Sequence, residues 1–107
     1  KEIVQGCHSA MAWLVERAIH GMSNKIKFSV EEQDWFATGM TKICLQVSSE
    51  QELVEIYNLA LQKGLKAHII TDLGRTEFGG IPTKTAVALG PDIAEEIDEI
   101  TSSLKLY

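Results

Sequence analysis

The chain has 107 residues, of which 45% are hydrophobic and 23% are charged, and its formal net charge is −5. This size and balance are typical of one globular domain with a single core, and two cysteines are too few for a disulfide scaffold. Because no apolar run reaches the roughly 20 residues of a membrane span and no secretory signal is recognisable, we expect a cytoplasmic protein without membrane association.

The acidic charge is concentrated in one place. Five of the fifteen acids lie between residues 92 and 99, and the ten that remain balance the ten lysines and arginines. The net charge alone argues against a nucleic-acid partner, since phosphate binding needs basic residues. The uneven distribution leaves room for a locally basic surface elsewhere.

The first segment predicts an amphipathic helix from Glu2 to about His20, ending near Gly21. The residues of its apolar stripe follow one another at intervals of three and four, and we expect this stripe to be buried. It comprises Val4, Cys7, Met11, Leu14 and Ala18.

Two further helices are predicted from their capping residues. Ser29 and Glu32 have the spacing of a capping box, which predicts a short helix to Thr38. After an alternating strand over residues 41–47, either Ser48 or Ser49 caps a helix that ends at Gly64. The apolar face of that helix predicts burial of Leu53, Ile56, Tyr57, Ala60 and Leu61.

The second half of the chain predicts two strands and a last helix. The strands cover residues 66–71 and 84–89, and the second is apolar on both faces, which indicates an interior strand. Pro91 suits the first turn of the following helix. The apolar residues of that helix are Ile93, Ile97, Ile100 and Leu104. This order of elements suggests an α/β or α+β sandwich in which helices cover a small sheet.

The long segment between these strands is the first candidate site. Loops of this length in compact domains are more often functional than accidental. Asp72 falls at the C-terminal end of a predicted strand, where open α/β sheets place ligand-binding groups, although it could equally form an Asx-turn into Gly74.

The first helix carries the second candidate site. Lys1, Gln5 and His8 share one face and offer a cation, an amide and an imidazole, although each alone could be a solvated helix residue. Cys7 is interpreted as structural, because it lies on the apolar stripe and points about 100° away from His8. No spacing of His, Cys or acids indicates a metal site, and no phosphate-binding loop is present, so we expect no cofactor.

Several motifs in order resemble the type 2 peptidyl-tRNA hydrolase family. They are the opening segment 1–10, the lysine-led strand 41–47, Asp72–Thr76, Pro82–Thr85, Ala88–Pro91 and the closing segment 97–107. The resemblance implies a single domain over residues 1–107 with a three-layer α/β/α sandwich and a small mixed sheet. Three strands of that sheet are predicted here, and we expect the family's leading strand to be missing from this chain.

The resemblance also implies hydrolysis of the ester between a peptide and the 3′ end of tRNA, which recycles tRNA after abandoned translation. The family's functional positions fall on Lys1, His8, Asp72, Thr76 and Thr85, with Gln5 and Arg75 in support. Thr85 is preferred to Thr83, because it lies closer to the Gly90-Pro91 anchor.

We expect Asp72 and His8 to position and deprotonate the attacking water. Thr76, Thr85 and Lys1 would bind the 3′ adenosine or the oxyanion. Lys84, Arg75, Lys25 and Lys27 are predicted contacts to the tRNA backbone.

Two other functions stay open at this point. The chain could be a binding module of the same fold that holds tRNA ends or a protein without turnover. It could also be an interaction domain whose sheet accepts a strand from another chain. The presence of Lys1, His8, Asp72 and Thr76 favours the enzyme, and the family suggests a homodimer.

Overall fold

A computed structural model describes residues 2–20, 26–73 and 81–107 of the chain. Four helices and four strands are formed by these residues. In chain order they are α1 (Glu2–His20), α2 (Val30–Ala37), β1 (Leu45–Gln46), α3 (Glu50–Gln62), β2 (Ala67–Asp72), β3 (Thr83–Leu89), α4 (Ala94–Thr101) and β4 (Lys105–Leu106). Among these helices, none combines the length and the apolar character that crossing a bilayer requires.

The antiparallel pair of β2 and β3 is the centre of the fold. Both α1 and α3 pack against this pair, and α4 packs on α3. The α1 face of β2 carries His68, which is paired with Glu16 of α1, and Ile70, which lines a groove beside α1. These contacts confirm the predicted α/β class.

The strand pairing differs from the expected mixed sheet. Within the described ranges, the strands form two separate two-stranded sheets, β2 with β3 and β1 with β4, and both are antiparallel. Leu45 lies opposite Leu106, so the two-residue β1 pairs with residues near the C-terminus. The strand predicted over 41–47 is therefore much shorter. Among the described residues β3 is paired along one edge only, so its predicted interior position in the sheet is wrong. Its apolar residues instead accompany contacts with both α1 and α3.

The buried face of α1 is not the predicted apolar stripe. Ser9 and Trp13 are each only 4% exposed, whereas Val4 and Met11 of the stripe are 55% and 51% exposed. Cys7 is exposed as well, so its predicted burial is wrong. Because α1 has apolar residues around much of its circumference, periodicity alone did not determine which side would meet the sheet.

The predicted caps are confirmed. The Ser29 hydroxyl accepts a hydrogen bond from the Glu32 N–H, and the Glu32 carboxylate accepts one from the Ser29 N–H. Ser49, rather than Ser48, caps α3 by accepting from the Glu52 N–H. These interactions are local in sequence, which is why the spacing of residues predicts them.

Two details of the other helices correct the predictions. Leu61 of α3 is 48% exposed rather than buried. The last helix begins at Ala94, because Ile93 has the extended backbone of an N-cap residue, and Pro91 precedes the helix instead of starting it. The turn before α4 is attached to β2 by Asp92, whose carboxylate accepts from the Lys66 N–H at 2.8 Å.

Two glycine substitutions are expected to change stability in opposite directions. Gly64 ends α3 with a φ of +75°, so Gly64→Ala should lower the free energy of unfolding by about 1 kcal/mol. Gly6 lies inside α1 with open space around its Cα, so Gly6→Ala should raise that free energy by about 0.5–1 kcal/mol. Urea denaturation of both variants tests this expectation, and a destabilised Gly6→Ala would contradict the open packing beside α1.

An aromatic cluster joins α1 to α2. Trp13 lies with its ring centroid 6.2 Å from those of Phe28 and Trp35, and 6.0 Å from that of Phe36. Arg17 lies over the Trp13 ring, 5.3 Å from its centroid. This cluster gives the short helix α2 a core contact that its own eight residues could not provide.

Candidate active site

The last residue of β2 is joined to α1 by a hydrogen bond. The Gln5 amide donates from Nε2 to the Asp72 carboxylate at 3.0 Å, across 67 residues of sequence. Asp72 is half-buried, and Gln5 on the first turns of α1 is half-buried too. Gln5 of the predicted helix face and Asp72 at the predicted strand end are therefore in direct contact.

His8 lies on α1 on the same side of the sheet. It is exposed, and it lines a groove of about 480 Å³ together with apolar residues of α1 and Ile70 of β2. Ile70 precedes Asp72 by two residues, and side chains two apart on a strand point to the same face. His8 and Asp72 thus belong to one face of the fold, with the imidazole open to solvent.

Two polar atoms near this end of the sheet are buried and without a hydrogen-bond partner among the described residues. They are the Thr85 hydroxyl and the carbonyl oxygen of the Gln5 side chain. A buried polar atom left unpaired costs about 1–3 kcal/mol, and such atoms in a native fold often belong to functional sites.

The predicted phosphate contacts are not all at this site. The Lys84 ammonium donates to the Thr71 hydroxyl at 2.7 Å. Lys27 is exposed, and its carbonyl oxygen accepts from Arg17 at 3.1 Å. Since Arg17 follows Gln5 by twelve helical residues, or about 18 Å, Lys27 lies well away from Asp72.

Four predicted site residues lie outside the described residues. They are Lys1, Lys25, Arg75 and Thr76. The predictions for these residues stand on the sequence alone.

Glu32 of α2, predicted only as part of a capping box, is a buried carboxylate that pairs with Arg17 of α1. Glu32 is 1% exposed; Arg17 donates to it at 2.5 and 2.8 Å, and Lys66 forms a second ion pair with it. Burial alone would raise the pKa of Glu32, but hydrogen bonds from Arg17, Lys66 and the Ser29 N–H outweigh it and lower that pKa to about 2. The capping-box spacing was the sole sequence signal for Glu32, and it did not reveal the burial.

The arrangement at Asp72 can support acid–base chemistry. It combines an oriented carboxylate with an exposed imidazole on the same face. Within the described ranges, no three His, Cys, Asp or Glu side chains are grouped as metal ligands would be. A carboxylate and an imidazole can together orient a water molecule and accept its proton.

Comparisons with known proteins agree on one family. A family profile described as peptidyl-tRNA hydrolase PTH2 matches residues 1–107. The chain is 40% identical to a peptidyl-tRNA hydrolase of Methanocaldococcus jannaschii over 106 residues, which are 99% of this chain and 85% of that protein. It is 39% identical over 106 residues to the enzymes of that name from Sulfolobus acidocaldarius and Staphylothermus marinus, again over 99% of this chain and over 86% and 81% of those proteins.

Proposed function

Because the chain belongs to the peptidyl-tRNA hydrolase PTH2 family, we propose that it hydrolyses the ester bond between peptide and tRNA in peptidyl-tRNA. The hydrogen bond between Gln5 and Asp72 is the observation that carries this proposal. It orients a carboxylate on the face of the fold that also carries the exposed His8 imidazole, and these two groups can together activate a water for ester hydrolysis. The product tRNA would return to translation.

In this proposal Asp72 and His8 share the activation of the water. The Asp72 carboxylate, restrained by Gln5, accepts a hydrogen bond from the water and sets its direction. The exposed His8 imidazole is available to take or relay the proton. The water oxygen attacks the ester carbonyl, and the 3′ oxygen of the terminal ribose leaves with a proton.

The hydroxyl and ammonium groups are assigned to the substrate's polar atoms. The Thr85 hydroxyl is buried and has no hydrogen-bond partner among the described residues, which supports a contact to the 3′ adenosine or to the developing oxyanion. Lys1 and Thr76 are proposed for the same task because of their positions in the family motifs. Each donor would stabilise negative charge that appears in the transition state.

Contacts to the tRNA backbone are proposed for Arg75, Lys25 and Lys27, whereas the Lys84 ammonium, also predicted for this task, is bound to the Thr71 hydroxyl. Lys27 supports a contact at a distance from the ester, because it is exposed near the C-terminal half of α1. The acidic residues between positions 92 and 99 do not oppose this proposal. Most of them belong to α4, which packs on α3 rather than on α1.

An assay of purified peptidyl-tRNA tests the function directly. The wild-type chain should release free peptide and intact tRNA, and raised salt should weaken hydrolysis of peptidyl-tRNA while leaving an N-acetylated aminoacyl ester of adenosine little affected. Binding of peptidyl-tRNA without release would instead indicate a binding module and would contradict the proposal.

A homodimer and a cytoplasmic location complete the proposal. Apolar side chains remain exposed along α1, among them Ile3, Val15 and Ile19, and such a surface supports self-association. The location follows from the substrate, because peptidyl-tRNA is made where ribosomes work. Light scattering at several protein concentrations tests the dimer, and a monomer throughout would reject it.

Gln5→Leu is expected to lower kcat about tenfold with a smaller change in KM. Leucine has a similar size, but it leaves the Asp72 carboxylate without its amide donor, so the orientation of the water is lost. Gln51→Leu on the exposed side of α3 is a matched control that should retain full activity. If Gln5→Leu kept wild-type kcat, the hydrogen bond would have no part in hydrolysis.

A further inference from the structure

The pairing register of β2 and β3 shifts by one residue within the strand pair. Ile70 of β2 lies opposite Ala86 of β3, and the next residue, Thr71, lies opposite Lys84. Thr85 is left over between the two pairs, which makes this irregularity a β-bulge on β3. Bulges of this kind change which face each later side chain of the strand occupies.

The bulge decides which residue accompanies Asp72. Opposite residues of an antiparallel pair point to the same face, and Asp72 is on the α1 face, where it meets Gln5. With the bulge, Thr83 lies opposite Asp72. If the pairing of Ile70 with Ala86 continued without the bulge, Thr85 would pair with Thr71, Lys84 would lie opposite Asp72, and Thr83 would turn to the other face.

In that alternative register, the Lys84 ammonium would be attracted to the Asp72 carboxylate. An ammonium directly across from a carboxylate on one face of a strand pair is attractive. In the structure, however, the Lys84 ammonium donates to the Thr71 hydroxyl at 2.7 Å, next to the bulge and on the opposite face from Asp72. The Thr71 hydroxyl thus binds Lys84 where it cannot neutralise the Asp72 carboxylate.

We propose that Lys84 is a positioning residue, whose hydrogen bond to Thr71 holds the bulge in the register that sets Thr83 opposite Asp72 and keeps the ammonium away from that carboxylate. This role rests on the proposed function, in which Asp72 activates the water. It differs from a contact between Lys84 and a tRNA phosphate, which would require the charge of Lys84 but not the hydroxyl of Thr71.

Thr71→Val separates these two roles. Valine keeps the shape and the strand preference of threonine and leaves the charge of Lys84 in place, but it removes the hydrogen-bond acceptor. We expect kcat to fall about five- to tenfold on both peptidyl-tRNA and an N-acetylated aminoacyl ester of adenosine, with KM changed less than twofold. Thr71→Ser, which retains the hydroxyl, should restore kcat to within twofold of the wild-type value.

Lys84→Met should show the same fall in kcat on both substrates, and the double variant should lose no more than either single variant. Lys42→Met is the matched control, because Lys42 is an exposed lysine whose ammonium also donates to the protein, to the Met40 carbonyl oxygen at 2.9 Å. It should leave kcat on both substrates unchanged.

Cross-strand nuclear Overhauser contacts provide a readout that does not depend on activity. In the wild-type chain the backbone of Asp72 should contact that of Thr83, and in Thr71→Val a contact between Asp72 and Lys84 should appear. An unchanged register or an unchanged kcat in Thr71→Val would overturn the positioning role. A Lys84→Met variant that raises only the KM for peptidyl-tRNA would also overturn the positioning role, and it would indicate a contact between Lys84 and a tRNA phosphate.

The failure of the proposed function is recognisable separately. A wild-type chain inactive on both substrates would reject that function and the positioning role with it. An active wild-type chain together with an unaffected Thr71→Val would reject the positioning role alone.

Discussion

Replacing Asp72 with asparagine should lower kcat for peptidyl-tRNA hydrolysis by at least about a hundredfold, the usual contribution of a group that takes a proton in the transition state. Asparagine keeps the size of the side chain and an oxygen that can still accept from the Gln5 amide. It cannot accept a proton from water, so the loss should appear in kcat rather than in KM. Single-turnover release of peptide from peptidyl-tRNA measures it.

The same assay, applied to a His8 variant, measures how much Asp72 and His8 each contribute to activation of the water. His8→Ala should lower the rate at least tenfold, because it removes the side chain proposed to take the proton from the water. Asp98→Asn, at an exposed position of α4, is the matched control and should be fully active. If neither Asp72→Asn nor His8→Ala lowered the rate tenfold, activation of the water would have to be assigned to other residues.

Replacing Glu32 with glutamine should lower the free energy of unfolding by about 3 kcal/mol, the scale expected when one member of a buried ion pair is removed. The carboxylate is 1% exposed, and its loss leaves the Arg17 and Lys66 charges without their counter-charge. Glu31→Gln, the adjacent position on α2, lacks that cluster and should change the stability by less than about 0.5 kcal/mol. Urea denaturation of both variants gives the comparison.

The pH dependence of this stability follows from the lowered pKa of Glu32. Because the folded-state pKa of about 2 lies below the ordinary value of 4.5, the ionised carboxylate contributes its full stabilisation above about pH 5. That contribution should disappear progressively as the pH falls from 4.5 towards 2. The stability of wild type and Glu32→Gln should therefore converge in acid, and a difference that stayed constant down to pH 2 would contradict the charged cluster.

Features that depend on neighbouring residues were predictable from the sequence. The capping box at Ser29, the cap at Ser49 and the helix end at Gly64 each involve contacts within a few residues, so spacing and residue type are sufficient. Gln5 and Asp72 were likewise identified as candidates, Gln5 because it shares a helix face with Lys1 and His8, and Asp72 because it is an acid at a strand end. The hydrogen bond that joins them at 3.0 Å depends on how α1 packs against the strand pair, which neither segment encodes alone.

Features that depend on distant pairing were not predictable. The partner of β1 lies about 60 residues away, and a two-residue strand leaves almost no pattern in the sequence. The bulge at Thr85 reverses the alternation of β3, so reading that strand as a regular one misplaces Thr83 and Lys84. Trp13 on the buried side of α1 packs against aromatic residues at α2, and the sequence of α1 alone does not encode these contacts.

The aromatic cluster also determines which structural change the tryptophan fluorescence of this protein detects. Both tryptophans of the chain, Trp13 and Trp35, lie in that cluster, 6.2 Å apart, so intrinsic fluorescence observes the contact between α1 and α2. Trp13 is eight helical residues, or about 12 Å, from Gln5. A change in emission would therefore signal separation of α2 from α1, whereas a ligand at the Asp72 end should bind without altering the spectrum. Fluorescence and catalysis are consequently independent probes of the two ends of one helix.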